Sequence, residues 1–424
     1  MVATSSRRNR RHDVVYEACT TGRCYNRSVT RGLVLLALLA GAASAAPKRA
    51  EAPTPAQLDD PCLDDKCKAH ALDGWRDALA AQRAHGADRP LRVSWFGDSL
   101  TGDDHMTHAL RKRLQALVGD GGAGFVFAAP PHPYCQQRAI ARVVSDGWIV
   151  HGISTVYPPD RLLGLGGMAE TDSGGTIRLA LSGAAASVEL DYLAQPHGGR
   201  VEVVADGKVL DTIATAGERK QGAFASTALP DGAKKIELRT HGRVRLFGMA
   251  IEAERGAVVD NLGIINATAK SMRDHNRGDH WREQLAHRDA DLVVVMYGAN
   301  EAEWLRPRGF GMEEHERVLG ELLATIRAAD PHATCLVVSP LDQVDWRDEQ
   351  LPSRVSVPAM VEAQRRAARA NGCAFWDAFA WMGGAGAART WHARGLYWKD
   401  FQHPTSEGAE RIAEALYRAL VTAP

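Results

Sequence analysis

The periodicity of the chain changes twice, and that change most constrains what it can fold into. Between about residues 176 and 254 the text is a series of short alternating runs: TIRLALSG, ASVELDYLA, GRVEVVADGKVLDTIATAG, KKIELRT and RVRLFGMAIEAE. Asp206-Gly207, Asp231-Gly232 and His241-Gly242 separate them at hairpin spacing, and no helical period interrupts them. This predicts an all-β module, a sandwich of jelly-roll size.

On either side the rhythm is strand, turn, helix. LRVSWFGDSLTG leads into a helical stripe at Leu110, Leu114 and Leu117, and VVDNLGIINAT is a strand with its turn. DLVVVMYGAN precedes a helix over 312–329, TCLVVSP one over 357–371, and CAFWDAF a last one over 406–420. Five strands of the buried, parallel type are thus split between first and second by the β insertion. The expected layout is a linker and N-terminal helix at 46–90, an α/β domain at 91–155 and 256–424, and the module at 156–255.

The N-terminal 45 residues are of another kind. GLVLLALLAGAASAA (32–46) follows Arg27 and Arg31 and carries Ala43-Ser44-Ala45 before Pro47. An apolar run this short with a small-residue end is read as a secretory signal, with the mature chain starting at Ala46 and no membrane span after it. The whole chain has 51 Lys+Arg against 51 Asp+Glu, but seven Arg lie in the first 45 residues, leaving the remainder acidic, near −5. That charge excludes a general nucleic-acid binder.

Export to an oxidising compartment bears on the cysteines. Cys62 and Cys67, in DDPCLDDKCKAH, are read as a possible short-loop disulfide, since no further ligands at metal spacing stand near them. Cys335 and Cys373 lie in apolar strand-like runs and are read as buried free thiols, while Cys135 is left open.

Four strand ends carry candidate chemistry. Ser99 follows Gly97-Asp98 where a strand meets a helix, so its hydroxyl and its backbone N–H both face the edge where open α/β sheets bind ligands. A serine nucleophile needs a base and an orienting acid, and Asp400-Phe401-Gln402-His403 places a carboxylate within reach of an imidazole three residues on. Asn300 ends YGAN, where its amide can donate to an oxyanion; a backbone N–H in LGIIN (262–266) can join it. Asp103, Asp104, His105 and His108 are read as polar residues at a helix start. No metal is expected, and no phosphate or dinucleotide fingerprint calls for a cofactor.

FGDSLTG (96–102), YGANE (297–301) and DFQHP (400–404) resemble three blocks of the SGNH, or GDSL, hydrolase family. The resemblance implies a flavodoxin-like three-layer α/β/α domain, Ser99 as nucleophile, His403 as base and Asp400 as its orienter. It also implies oxyanion donors at the Ser99 N–H, the Asn300 side chain and a second-block amide. Asn266 stands there where the family usually has Gly, with Gly263 as the fallback. The inserted β module, the Cys62/Cys67 pair and the export signal resemble, more narrowly, periplasmic peptidoglycan O-acetylesterases, whose partner is an O-acetylated glycan. Acyl transfer to a second sugar and glycan binding without turnover are the rival expectations.

Overall fold

The structure is a computed structural model that describes residues 57–305 and 311–422. The export signal expected at 1–45 therefore lies outside the described residues.

Five parallel strands form the central sheet: Leu91–Gly97, Ala257–Gly263, Leu292–Met296, Thr334–Val338 and Ala374–Trp376. Counted in chain order they lie 2-1-3-4-5, the flavodoxin order, with the short strand Leu58–Asp59 added antiparallel at the far edge. Apolar side chains alternate between the faces. Val293, Val295 and Val337 pack with the helices Ala269–His275, Gly278–Arg288, Met312–Ala329 and Ser356–Ala370. Leu292, Val294, Leu336 and Val338 pack with Asp73–Arg83, His105–Val118 and Ser406–Thr422. Both faces are thus covered, which is why these strands read as continuous apolar runs.

The helix Met312–Ala329 shows how the local sequence does this. Glu313 and Glu314 sit in its first turn, where the helix dipole favours anions, and Val318, Leu319, Leu322, Leu323 and Ile326 form one buried stripe. The last strand is shorter than CAFWDAF suggests. Asp377 accepts the Ala380 N–H at 2.7 Å and starts a helix at Ala378–Met382.

The insertion folds as two antiparallel sheets. One has the order 208–214, 200–205, 235–241, 174–181, 140–144; the other runs 221–228, 187–194, 244–252, 167–171, 149–152. Ile177, Leu179, Val203 and Leu238 from the first share one apolar cluster with Val188, Leu190, Leu246 and Met249 from the second, the arrangement of a sandwich. Strands Ile140–Val144 and Ile149–Gly152 belong to these sheets, and Gly122–Phe127 pairs antiparallel with Val244–Glu252. We therefore place the start of the module near residue 122, not 156. The early strands escaped the reading because loops and glycines separate them from the regular hairpins.

A buried ionic network fastens module to sheet. Arg288 donates to both oxygens of Asp260, at 2.8 and 3.0 Å, and to Glu252 at 2.7 Å. Arg92 holds the other side of Glu252, and Asp260 also accepts the Ser94 hydroxyl and the Phe125 N–H, each at 2.7 Å. Burial opposes the Glu252 carboxylate, yet Arg288 and Arg92 hold its pKa down to about 2.

The expectation of free thiols at Cys335 and Cys373 is corrected: they are joined in a disulfide, with Cα atoms 4.7 Å apart. Leu336 pairs in register with Ala374, so the residues just before them meet at one level of neighbouring strands. Cys62 and Cys67 are also joined, Cα to Cα 4.8 Å. One feature of that loop was missed: His70 Nε2 lies 3.3 Å from Cys67 Sγ. The three side chains are the one grouping of three or more possible metal ligands among the described residues, but a disulfide leaves no thiolate to bind a cation. Cys135 is free and buried, and desolvation pushes its thiol up to about 11. Among the described residues, no helix is long and apolar enough to cross a membrane.

Candidate active site

The strand order reverses beside Leu91–Gly97, and the carboxyl ends at Gly97 and Met296 are paired in register. Crevices at such reversals are where open α/β sheets hold ligands. Ser99 and Asn300 follow these two ends.

Backbone approach is close at both. A Cβ on Gly97 would lie 2.9 Å from the Met296 carbonyl oxygen. Gly298 has φ +127° and a Cβ there would stand 2.7 Å from Met360 Sδ. After Gly97 the chain enters the four-residue helix Ser99–Gly102, capped by Asp98, whose carboxylate accepts the Leu100 N–H at 3.0 Å. The Asp98 carbonyl takes the Thr101 and Gly102 amides, so the Ser99 N–H, first in the helix, has no partner among the described residues.

The sequence-predicted triad comes together. Ser99 Oγ lies 2.8 Å from His403 Nε2, and His403 Nδ1 lies 2.9 Å from Asp400 Oδ2. The other Asp400 oxygen accepts the backbone amides of Gln402 and His403 at 3.1 and 3.0 Å, which fixes the carboxylate to its own turn. Inside this turn Phe401 has φ +51°, a left-handed conformation unusual for an aromatic residue. Its ring packs edge-on to Trp346 at 5.6 Å and beside His392 at 4.4 Å, and Trp346 Nε1 donates to the Asp400 carbonyl at 3.1 Å. Trp346 escaped the sequence reading because a lone Trp in a loop carries no pattern.

Electrostatics favour the protonation cycle of a base. Burial disfavours the His403 imidazolium, but the hydrogen bond and charge of Asp400, with Asp98 and Asp103 behind, raise its pKa above the ordinary value. Burial likewise opposes the Asp400 carboxylate, and the bonds to His403 and the turn amides outweigh it, so its pKa is lowered.

The second block is a tight turn closed by the Ala267 N–H on the Ile264 carbonyl at 3.0 Å, with Asn266 third at φ +63°. That position favours Gly or Asn, which gives a physical reason for Asn in place of Gly. The exposed Asn266 amide has no partner among the described residues, whereas the Gly263 N–H is bonded to Asn261 Oδ1 at 3.1 Å. Of the two amides, that of Asn266 is therefore the one left free to donate, among the described residues. Asn300 Nδ2 donates to the Ala267 carbonyl at 2.9 Å, which uses one of its two hydrogens and ties it to the same turn. Asp98 Oδ2 accepts the Ala299 N–H at 3.3 Å and ties the Ser99 segment to the Asn300 helix. Of the polar residues at 103–108, Asp104 is buried and accepts from Thr107 and Arg138, and His105 contacts Arg138.

Chemically, this is a hydroxyl with an attached base, an oriented acid and amide donors at one sheet edge. The profile of the GDSL-like Lipase/Acylhydrolase family matches residues 232–411, which include the last two strands of the module and Asn300, Asp400 and His403, but not Ser99. The family match and the structural likeness described next support an SGNH-type acylhydrolase, an esterase. The chain resembles in particular a solved peptidoglycan O-acetylesterase, at 27% identity and TM-score 0.71, over 82% of this chain and 95% of that one. That is more than the α/β residues alone make up, so the likeness extends into the β module. A salicylyl-acyltransferase of a tetracycline biosynthetic pathway is matched at 16% identity and TM-score 0.31, over 70% of this chain and 97% of that one. ATP synthase subunit delta of Corynebacterium aurimucosum is 25% identical over 240 residues, 54% of this chain and 86% of that protein.

Proposed function

We propose that the protein is an exported esterase that removes O-acetyl groups from peptidoglycan through an acyl-Ser99 intermediate. The observation that carries the substrate is the likeness to a peptidoglycan O-acetylesterase across both the α/β domain and the module. Export is supported by the apolar segment 32–46 and by two disulfides, which persist in oxidising compartments. Periplasm is the compartment where that substrate is met.

In the first half-reaction His403 Nε2 takes the Ser99 proton as Oγ attacks the acetyl carbonyl, and Asp400 stabilises the imidazolium. The carbonyl oxygen becomes an oxyanion held by the Ser99 and Asn266 amides and the second Asn300 Nδ2 hydrogen, at about 3 kcal/mol per donor. The bond from the acetyl carbon to the sugar oxygen then breaks, and His403 gives its proton to that oxygen, which leaves as the sugar hydroxyl. In the second half, water gives its proton to His403 and attacks acyl-Ser99. Acetic acid leaves and Ser99 is restored.

Initial rates of acetate release from O-acetylated peptidoglycan and O-acetylated xylan test the substrate. A clear preference for peptidoglycan is expected. Equal rates, or preference for xylan, would overturn it. Acetyl groups appearing on added unacetylated glycan would make the protein a transferase.

A further inference from the structure

Glu301 follows Asn300 in the helix Ala299–Trp304 and has no part in the mechanism above. It is 3% exposed, and its Oε1 accepts the N–H of Ala269, first residue of the helix Ala269–His275, at 3.0 Å. Asn300 holds the Ala267 carbonyl two residues earlier at 2.9 Å. Thr268, between them, caps the helix reciprocally with Ser271: the Ser271 N–H reaches Thr268 Oγ1 at 2.9 Å and the Thr268 N–H reaches Ser271 Oγ at 2.8 Å. Three consecutive residues directly after Asn266 are thus pinned, two of them by the Asn300-Glu301 pair.

We infer that Glu301 is a positioning residue that, by holding the Ala269 amide, keeps the Asn266 turn in the conformation that binds the oxyanion. The inference rests on the reading of Ser99 and the Asn266 amide given above. Glu301 acts as a neutral acid. Its Oε2 has no partner, and the ionisable groups that bear most on it are Asp98 at the end of the first strand and Tyr297 at the end of the third. Both are acids. Burial, then the charge of Asp98, push the Glu301 carboxyl up to about 8. Above that pH a buried, unpaired anion replaces it. Its relief is to draw in water or swing away, and either loosens the Ala269 contact.

The test is the pH dependence of kcat on an activated acetyl ester for the full chain, Glu301→Gln and Glu301→Ala, with Ser99→Ala in parallel. Wild type is expected to lose kcat on the alkaline side with a midpoint near about 8. Glu301→Gln keeps an acceptor for Ala269 and cannot ionise, so that alkaline fall disappears. Glu301→Ala loses about tenfold or more in neutral-pH kcat with KM changed far less. An unchanged alkaline fall in Glu301→Gln overturns the inference even if Glu301→Ala does not fold. So does a Glu301→Ala protein with lower Tm but unchanged kcat. Ester cleavage that survives Ser99→Ala instead overturns the Ser99 reading on which the inference stands.

Discussion

His403 Nε2 lies 2.8 Å from Ser99 Oγ although 304 residues separate the two in the chain. The β module fills much of that interval, yet the chain enters it from the end of the helix His105–Val118 and returns into Ala257–Gly263, the strand paired with Leu91–Gly97. The insertion lengthens the chain between Ser99 and His403, yet the two side chains still meet at one sheet edge.

Because Asp400 raises the His403 pKa, and the base must be neutral to accept a proton, activity should fall on acidification with a midpoint above the ordinary histidine value. Asp400→Asn removes the charge that favours the imidazolium. Its acidic limb should move to lower pH while kcat drops, by about 10⁴-fold where a triad acid is lost entirely as an orienter. A kcat/KM profile of both proteins checks this; an unmoved limb would remove Asp400 from the role.

The backbone at Asn266 offers a separate handle. With φ +63°, Gly is expected to match or exceed Asn in kcat, whereas Asn266→Val, β-branched, should be strained and lose tenfold or more in kcat, on the order of one lost oxyanion donor. Steady-state rates on an activated ester decide it.

Arg288 bridges Asp260 and Glu252, and removing it leaves buried Asp260 without its cation and Glu252 with Arg92 alone. Arg288→Met should cost about 3–5 kcal/mol in denaturant unfolding. A loss within error of zero would mean the network does not hold module to sheet.

Asp191 is buried in the module with Oδ1 unpartnered, and burial, then Glu189, push its carboxyl up to about 7. A raised acid stabilises fully below its unfolded pKa and progressively less as pH rises to the folded one. This residue should therefore cost up to about 1.4 kcal/mol per pH unit between about 4 and 7. Tm measured against pH should show Asp191→Asn gaining on wild type across that window and not below it.

The Cys335–Cys373 disulfide closes a loop of 38 residues at the strand ends opposite the site. Replacing both with Ser should lower stability by about 2–4 kcal/mol and leave KM and kcat of the folded protein unchanged.

Most of the α/β frame was legible because buried parallel strands read as apolar runs and their helices as stripes: the helix expected at 312–329 has those very bounds. The grouping of Ser99, His403 and Asp400 was legible because Asp400 and His403 are local partners and Ser99 sits at a strand–helix junction. What the sequence hid is held by tertiary contacts alone. Strands 140–144 and 149–152 become recognisable only when paired, Cys335 and Cys373 only when their strands align, and Trp346 only when its indole finds the Asp400 carbonyl. Glu301 was in view in YGANE, but its role depends on a helix start 32 residues upstream.

The most direct measurement is acetate release from O-acetylated peptidoglycan by wild type and by Ser99→Ala. The account predicts release by wild type and loss of it in the variant, with the variant's Tm unchanged. Equal release by both proteins would contradict the acyl-Ser99 mechanism, and no release by wild type that still cleaves an activated acetyl ester would contradict the substrate.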